Sequence, residues 1–303
     1  MDGAFLACDW GTTNLRAWVV GVDGQAREGR DFPLGVSRLQ PGEAARRFRE
    51  EVRPALSAET LPTLMCGMVG STLGWTVAPY RDCPAGFQEL AASLLTVEDG
   101  PAPVRIVPGL RGPGVTAAPD VMRGEETQVL GWLAQDPARE RGRHVVCHPG
   151  THAKWVLVED GRIVRFVTAM TGELFSTLSR HGVLATTSPP GDEAAFREGV
   201  AAAGDGGGLS ARLFSARSRV VGGEADPAGA ASYLSGLLIG AEVASLPGLL
   251  GTPVDEPVVL LGDPVLCRWY GVALAERGLP CVPYSGDEAA LAGLAAIQSR
   301  VAP

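Results

Sequence analysis

The chain has 303 residues, of which 46% are hydrophobic and 20% are charged, and its formal net charge is −8. This composition is typical of a globular protein and excludes the disordered and fibrous classes, while the length favours two domains over one core. The acidic balance disfavours nucleic acid as a partner. It does not exclude a phosphate-bearing ligand, because a local group of backbone N–H donors and a metal ion can hold phosphate against the global field.

The cysteines and the first residues indicate a cellular compartment. The six cysteines, at positions 8, 66, 83, 147, 267 and 281, show no paired spacing. We interpret them as reduced core cysteines. No basic segment followed by an apolar one opens the chain, so secretion is not expected. The prediction is a cytoplasmic protein.

The first predicted element is an apolar strand over residues 4–10, followed by a Gly11-Thr12-Thr13-Asn14 turn and a second strand over residues 15–20. Gly-Thr turns also occur in ordinary hairpins. Asp9, however, places a carboxylate at the end of an otherwise apolar strand. A buried carboxylate needs a partner, and hydrated Mg²⁺ would be a natural one.

A helix is predicted from Gly42 to Leu56, and a short apolar strand from Leu61 to Met65. The segment after this strand contains Gly67, Gly70 and Ser71. Glycines at a strand end let a ligand approach the backbone, and a plain strand-to-helix turn explains them equally well.

Residues 101–119 are rich in Pro and Gly, which predicts loops and a boundary region. A charged cluster follows and leads into a helical run at 129–133. Glu125 and Glu126 suit the first turn of a helix because of the helix dipole, whereas Arg123 does not. The alternative is that the cluster contacts substrate or supplies a general base.

The second half repeats the plan of the first. A strand over residues 144–148 leads to Pro149-Gly150-Thr151-His152, and another strand follows over residues 154–158. Such a turn points backbone N–H groups and a hydroxyl outward, as a phosphate requires. One turn in each half predicts two lobes that close on one nucleotide. Lys154 is either a cation near phosphate or an exposed strand lysine.

Later elements complete the pattern. Thr171-Gly172-Glu173 follows a strand and is either a substrate contact or a helix start. The apolar stretch from Ala231 to Leu250 contains Gly236 and Gly240, which predicts a buried helix with a close neighbour and not a membrane span. A strand over residues 258–262 ends at Gly262-Asp263. A helix (265–276), a strand (281–284) and a last helix (288–297) follow.

The order of these parts resembles the superfamily of sugar kinases, heat-shock chaperone ATPases and actin. More narrowly, the segments DWGTTNLRAW, CGMVGSTLGW, MRGEETQVLG, PGTHAKWV, TAMTGELF and SGLLIGAE resemble the 2-dehydro-3-deoxygalactonokinases over residues 9–297. This resemblance implies an α/β, two-lobed ribonuclease H-like (actin-like ATPase) fold with mixed sheets and a nucleotide cleft between the lobes. The expected domains are 1–120, with the first phosphate turn and the sugar acid site, and 121–286, with the second phosphate turn and the adenosine site. A closing helix at 287–303 is expected to pack back on the first.

The implied reaction is ATP- and Mg²⁺-dependent phosphorylation of the 6-hydroxyl of 2-dehydro-3-deoxy-D-galactonate, in D-galactonate breakdown. The resemblance places Mg²⁺ on Asp9, the terminal phosphates on Gly11, Thr12, Thr13 and Asn14, the rest of the phosphate chain on Gly150, Thr151 and Lys154, and adenosine on Gly262 and Asp263. It places the substrate near Arg16, Gly70, Ser71, Glu126 and Glu173.

The resemblance also implies the catalytic roles. Glu125 is the expected general base, with Glu126 and Asp9 as alternatives, because this chain has Gly-Glu-Glu where relatives carry an Asp. The substrate carboxylate calls for a bidentate arginine, for which Arg123 is the first candidate and Arg16 the second.

Two alternatives stay open from the sequence. One is a kinase for another 2-keto-3-deoxy sugar acid or sugar, and the other is an ATPase or sugar sensor of the same superfamily that phosphorylates nothing. The expected partners are the sugar acid and ATP, without nucleic acid or membrane. The oligomeric state is left open, with a homodimer as one option.

Overall fold

The computed structural model describes residues 3–186, 189–204, 208–250 and 256–301. Its contacts divide the chain into two compact units. The first contains Met1–Arg143, Val158–Arg165 and Gly286–Pro303, and the second contains His144–Leu157 and Phe166–Ser285.

The strands in the described residues are three to eight residues long. In chain order they are β1 (Phe5–Trp10), β2 (Leu15–Val20), β3 (Ala26–Phe32), β4 (Thr63–Gly67), β5 (Tyr80–Asp82), β6 (Leu95–Val97), β7 (Val104–Ile106), β8 (Gly109–Pro113), β9 (Pro119–Met122), β10 (Arg143–His148), β11 (Ala153–Glu159), β12 (Arg162–Ala169), β13 (Val258–Gly262) and β14 (Cys281–Ser285).

The helices are α1 (Glu43–Arg47), α2 (Arg53–Ala55), α3 (Phe87–Ala91), α4 (Glu125–Ala134), α5 (Thr171–Arg180), α6 (Glu193–Ala202), α7 (Leu209–Leu213), α8 (Ser215–Val221), α9 (Ala230–Leu249), α10 (Pro264–Glu276) and α11 (Gly286–Gln298). A π-helical turn at Phe48–Val52 joins α1 to α2, so the helix predicted over 42–56 is confirmed with a widened middle turn.

Two mixed sheets repeat one strand order. The first sheet has the order β3-β2-β1-β4-β7-β6, and the second has the order β12-β11-β10-β13-β14. In both, three consecutive strands lie side by side, and the next strand runs parallel to the first of the three. The duplication read from the sequence therefore extends to sheet topology.

The Pro- and Gly-rich segment 101–119 is not only loops, as its composition predicted. It contains β7 and β8, and β8 is the middle strand of a separate sheet with the order β5-β8-β9. Pro113 and Pro119 lie at strand ends, where the missing N–H costs little. Because β9 pairs with β8 in this sheet, the expected boundary at 120/121 lies inside the first unit.

Helix α4 also belongs to the first unit, where it packs closely on α11. A Cβ at Gly131 would overlap the carbonyl of Ala289, and a Cβ at Gly293 would overlap that of Thr127. Helix α11 also packs against β1 and β4, so it holds the start of α4 beside the end of β1. Residues 302 and 303 of the expected closing helix lie outside the described residues.

Helix α9 shows the close helix approach that its glycines predicted. A Cβ at Gly236 would overlap the carbonyl of Phe196 on α6, and a Cβ at Gly240 would lie 2.8 Å from the Cα of Val200. By length and composition the segment Pro227–Gly248 could cross a membrane, but 67% of its most apolar window is buried inside the protein. Burial against α6 identifies α9 as a core helix.

Candidate active site

Asp9 lies next to the last residue of β1, between Arg16 on β2 and Cys66 on β4. The residue is 5% exposed. The Oδ2 atom accepts a hydrogen bond from Gln128 Nε2 at 3.4 Å and lies 3.6 Å from Arg16 Nη2. The Cys66 thiol lies 3.7 Å from Oδ1. Burial raises the pKa of Asp9, and the Arg16 charge acts against that rise. The donors that face the carboxylate from Gln128, Arg16 and Cys66 are therefore all at long distances.

Two glycines bring the backbone close to this carboxylate. Gly67 ends β4 with φ +87°, and a Cβ there would lie 2.7 Å from the Trp10 carbonyl and 3.2 Å from Asp9 Oδ1. Gly124 precedes α4 with φ +110°, and a Cβ there would lie 3.2 Å from the Gly67 Cα. Both positive φ angles and both close approaches require glycine. We call Asp9, Arg16, Cys66, Gly67, Gly124 and Gln128 the Asp9 cluster.

Cys66, Gly124 and Gln128 were not predicted as site residues, and Gly67 was predicted only as a strand-end glycine that a ligand could approach. Gln128 follows Glu125 by three residues and so lies on the same face of α4, a spacing that could have identified it. Gly67 and Gly124 meet only through the pairing of distant strands and helices. No local pattern predicts that contact.

The two glutamates at the start of α4 differ in burial. Glu125 is half-buried, and its Oε2 accepts the Arg123 N–H at 3.0 Å. Glu126 is fully buried and accepts hydrogen bonds from the Gly124 N–H at 2.7 Å and from the Thr127 hydroxyl at 3.0 Å. Burial, and secondarily the Glu125 charge, raises the pKa of Glu126 to about 8. Both side chains thus cap the start of α4, and Glu125 is the one with access to solvent.

Arg123 is 8% exposed and holds its guanidinium in a fixed position. Nη2 donates to the Ala78 carbonyl at 2.6 Å, and the guanidinium carbon lies 4.4 Å from the centre of the Tyr80 ring. Among the residues that the structure describes, Nε and Nη1 have no hydrogen-bond partner. Buried donors without a partner are rare in native proteins, and a bound acceptor is one way in which such donors are satisfied. A Cβ at Gly70 would lie 2.8 Å from Nη1, so a larger residue there would displace this edge of the guanidinium.

The other predicted substrate contacts of the first unit have protein partners. Arg16 forms an ion pair with Asp287 in the first turn of α11 and also faces Asp9, so two carboxylates already compensate its charge. The Ser71 hydroxyl donates to the Met68 carbonyl at 2.7 Å and accepts the Leu73 N–H at 3.2 Å, which stabilises its own turn.

Hydrogen bonds hold the backbone carbonyl groups of the first Gly-Thr turn in place. The Gly11 N–H donates to the Asn14 carbonyl at 2.9 Å, the Gly35 N–H donates to the Thr13 carbonyl at 3.0 Å, and the Ser37 hydroxyl donates to the Thr12 carbonyl at 2.8 Å. The side chains of Thr12, Thr13 and Asn14 are exposed. The turn therefore keeps its carbonyls within the protein and presents its hydroxyls to solvent.

The second Gly-Thr turn packs against the start of α5. The Glu173 N–H donates to the Thr151 carbonyl at 2.9 Å, and a Cβ at Gly172 would lie 2.8 Å from the Thr151 Cα. The His152 and Glu173 side chains meet at 2.5 Å. Helix α5 begins at Thr171, so the backbone of Thr171-Gly172-Glu173 forms a helix start, which is one of the two interpretations of this segment.

Lys154 and Gly262 lie close to this second turn. Lys154 is 4% exposed, and its Nζ donates to the His152 carbonyl at 2.9 Å, so it is not an exposed strand lysine. Gly262 has φ +146°, and a Cβ there would lie 3.6 Å from the Pro149 carbonyl. The Asp263 carboxylate caps α10 by accepting the N–H groups of Val265 and Leu266, both at 2.9 Å.

Within the described ranges, no group of three or more His, Cys, Asp or Glu side chains could hold a metal ion. A cation at Asp9 would therefore need ligands from water or from a bound phosphate as well.

Two units with the same strand order, each with a Gly-Thr turn between its first two strands, define the class of actin-like ATPases and related sugar kinases. Component A of the (R)-2-hydroxyglutaryl-CoA dehydratase of Acidaminococcus fermentans shares the fold, with a TM-score of 0.51, 12% identity and 99% of each chain covered.

A family model described as 2-keto-3-deoxy-galactonokinase matches residues 9–297, and the chain belongs to this family. It is 36% identical to the 2-dehydro-3-deoxygalactonokinase of Escherichia coli strain K12, with 100% of both chains covered. It is 37% identical to a Rhizobium meliloti strain 1021 protein assigned the same activity, with 99% of this chain and 98% of the relative covered. A crystal structure assigned as this kinase, from Sinorhizobium meliloti, has a TM-score of 0.86 at 37% identity and 99% coverage of each chain.

Proposed function

We propose that this protein transfers the terminal phosphoryl group of ATP to the 6-hydroxyl of 2-dehydro-3-deoxy-D-galactonate, giving the 6-phosphate in D-galactonate catabolism. The observation that carries the proposal is the family match over residues 9–297, together with full-length relatives that are named for this activity. The Gly-Thr turns beside Asp9 and Lys154 support it physically.

The nucleotide roles follow the two turns. In the first unit, Thr12, Thr13 and Asn14 would contact the terminal phosphates with Gly11. In the second unit, Gly150, Thr151 and the buried Lys154 would hold the rest of the phosphate chain, and Gly262 would let adenosine approach the backbone. Asp263 would contribute through its backbone, because its carboxylate caps α10.

Mg²⁺ fits Asp9. Protein-bound Mg²⁺ usually takes one or two carboxylates and completes its shell with water and substrate phosphates, so one buried carboxylate is sufficient. The long contacts that Asp9 makes to Gln128 and Arg16 leave its oxygens available to such an ion. Bound Mg·ATP would supply the phosphoryl group and neutralise charge that develops on it.

For the acceptor, Arg123 would bind the sugar acid carboxylate through Nε and Nη1, and Glu125 would be the general base. The base takes the proton of the 6-hydroxyl as the new O–P bond forms and the bond from the terminal phosphorus to the leaving oxygen of ADP breaks. Glu126 is a poor base because it is fully buried and is largely protonated at neutral pH. Asp9 is the remaining alternative.

The test is an ADP-release assay with ATP and Mg²⁺ against a panel of 2-keto-3-deoxy sugar acids, simple hexoses and no acceptor. Selective turnover of the galactonate derivative would support the proposal. Selective turnover of another acid would move the substrate assignment, and ADP release that no acceptor stimulates would favour an ATPase or sensor.

We further propose a cytoplasmic protein whose partners are these small molecules, without nucleic acid or membrane. A homodimer is one option for its assembly, and light scattering of the purified chain would show it as a doubled mass.

A further inference from the structure

Glu242 is the one charged residue in the sequence of α9, and it is 5% exposed. Its Oε1 accepts the indole N–H of Trp155 at 2.7 Å, and its Oε2 accepts the hydroxyl of Tyr270 at 2.8 Å. The side chain of Thr171 also hydrogen-bonds to the carboxylate. Three donors from β11, α10 and the start of α5 therefore meet on one buried carboxylate.

Two of these donors adjoin the second phosphate turn. Trp155 directly follows Lys154 on β11. Thr171 directly precedes Gly172 and Glu173, the residues that touch the Gly150-Thr151 backbone. A shift of Thr171 would thus also move Gly172 and Glu173, which contact the turn.

For stability alone, an apolar side chain would be more favourable at this position than a carboxylate. Burying a charged or polar group costs desolvation energy that an apolar side chain of similar volume avoids. A carboxylate does, however, offer acceptors to several donors at once, which fixes the relative positions of the elements that carry them.

We propose that Glu242 is a positioning residue that holds the start of α5 and the Trp155 segment of β11 in the place where the Gly150-Thr151 turn binds nucleotide phosphate. The inference rests on the proposed phosphate role of that turn. Glu242 does not touch the ligand, and its effect reaches the nucleotide through Thr171 and Trp155.

The test measures the Kd of Mg·ADP by calorimetry for the full chain and three variants. Thr171→Val keeps the shape of the side chain and removes its hydroxyl, and Glu242→Gln keeps the shape but offers one acceptor oxygen where the carboxylate offers two. Ser232→Ala is the control on the same helix. Ser232 is buried and accepts the N–H groups of Gly191 and Asp192 at the start of α6.

We expect Thr171→Val and Glu242→Gln to weaken Mg·ADP binding roughly tenfold, as loss of a supporting hydrogen bond behind a binding residue commonly does. Ser232→Ala should lower Tm while leaving the Kd within about twofold. In turnover assays, KM for ATP should rise in the first two variants while KM for the sugar acid stays the same.

The inference is overturned if Thr171→Val leaves the Kd unchanged, or if Ser232→Ala weakens binding as much as the other two. It also fails if the wild-type chain binds no Mg·ADP. If the wild type binds Mg·ADP but phosphorylates no sugar acid, the proposed function fails, and the Kd ratios still decide the role of Glu242. If Glu242→Gln does not fold, Thr171→Val alone provides the test.

Discussion

Replacing Arg123 by lysine tests the acceptor site most directly. Arginine presents Nε and Nη1 as a planar pair of donors, whereas lysine keeps the positive charge but loses the fork. In the folded chain those two atoms are buried and have no hydrogen-bond partner among the described residues. A substrate carboxylate would satisfy both at once.

The expected loss follows from those two bonds. A hydrogen bond between charged groups contributes about 1.5–3 kcal/mol, and lysine can restore part of one of them. We therefore expect Arg123→Lys to cost about 2–4 kcal/mol of binding to the sugar acid, which is roughly a 30- to 1000-fold fall in kcat/KM. KM for ATP should change little. Steady-state kinetics by ADP release would measure both.

A structural role for Arg123 must be separated from this one, because Nη2 also holds the Ala78 carbonyl and the guanidinium stacks on Tyr80. Tyr80→Leu removes the stacking alone and should change kcat/KM by less than about fivefold. The decisive comparison uses an acceptor whose carboxylate is replaced by an amide. If Arg123→Lys reduces kcat/KM by the same factor for the amide as for the acid, the carboxylate contact does not exist.

Three further predictions concern the ends of α4 and α5. Glu125→Gln should lower kcat roughly 10²- to 10⁴-fold if Glu125 is the base, and a kcat near the wild-type value would transfer that role to Asp9. The pKa of Glu126 rises from 4.5 to about 8 on folding, so the folded chain binds one more proton than the unfolded chain between these two pH values. The free energy of unfolding therefore falls as the pH rises from 4.5 to about 8, by at most about 1.4 kcal/mol per pH unit. Glu126→Gln mimics the neutral side chain. Thermal unfolding measured at pH 5.5 and pH 8 should show a larger fall in Tm for the wild type than for the variant. Equal falls would contradict a protonated Glu126 in the folded chain. Gly172→Ala places a Cβ 2.8 Å from the Thr151 Cα, so α5 must shift, and KM for ATP should rise roughly tenfold while KM for the sugar acid does not; a rise in both would indicate general damage.

The parts of the fold that depend on local pattern were predictable. The apolar run that ends at Asp9 forms β1, and the helix over residues 42–56 is present. Gly236 and Gly240 predicted a close neighbour for α9, because a helix that lacks Cβ atoms on one face lets a second backbone approach, and α6 lies there.

The parts that depend on distant pairing were not predictable. The partners of Asp9 come from β2, β4 and α4, and the sequence separation between Asp9 and Gln128 is 119 residues. The sequence shows Glu242 only as a single charge in an apolar stretch, because its three donors lie on other elements. The sheet β5-β8-β9 was missed because Pro113 and Pro119 suggested loops, although Pro at a strand end removes no essential hydrogen bond.

The two units match even at individual backbone positions. The chemical difference between the two turns therefore lies in their side chains. In the first unit Trp10 pairs with Gly67, and a Cβ at Gly67 would lie 2.7 Å from the Trp10 carbonyl. In the second unit the corresponding glycine, Gly262, also ends the parallel strand with a positive φ, and a Cβ there would face the Pro149 carbonyl at 3.6 Å.

Because both units build the same turn beside the same kind of glycine, the backbone alone does not assign different roles to them. The side chains do. The residue two positions before the turn glycine is Asp9 in the first unit and His148 in the second, so at this position the first turn has a buried carboxylate, which suits a cation, and the second has a histidine. The second has the buried Lys154 beside it, a cation suited to phosphate. Replacing Asp9 by asparagine should therefore alter the Mg²⁺ dependence of turnover, whereas replacing Lys154 by methionine should weaken nucleotide binding without altering that dependence.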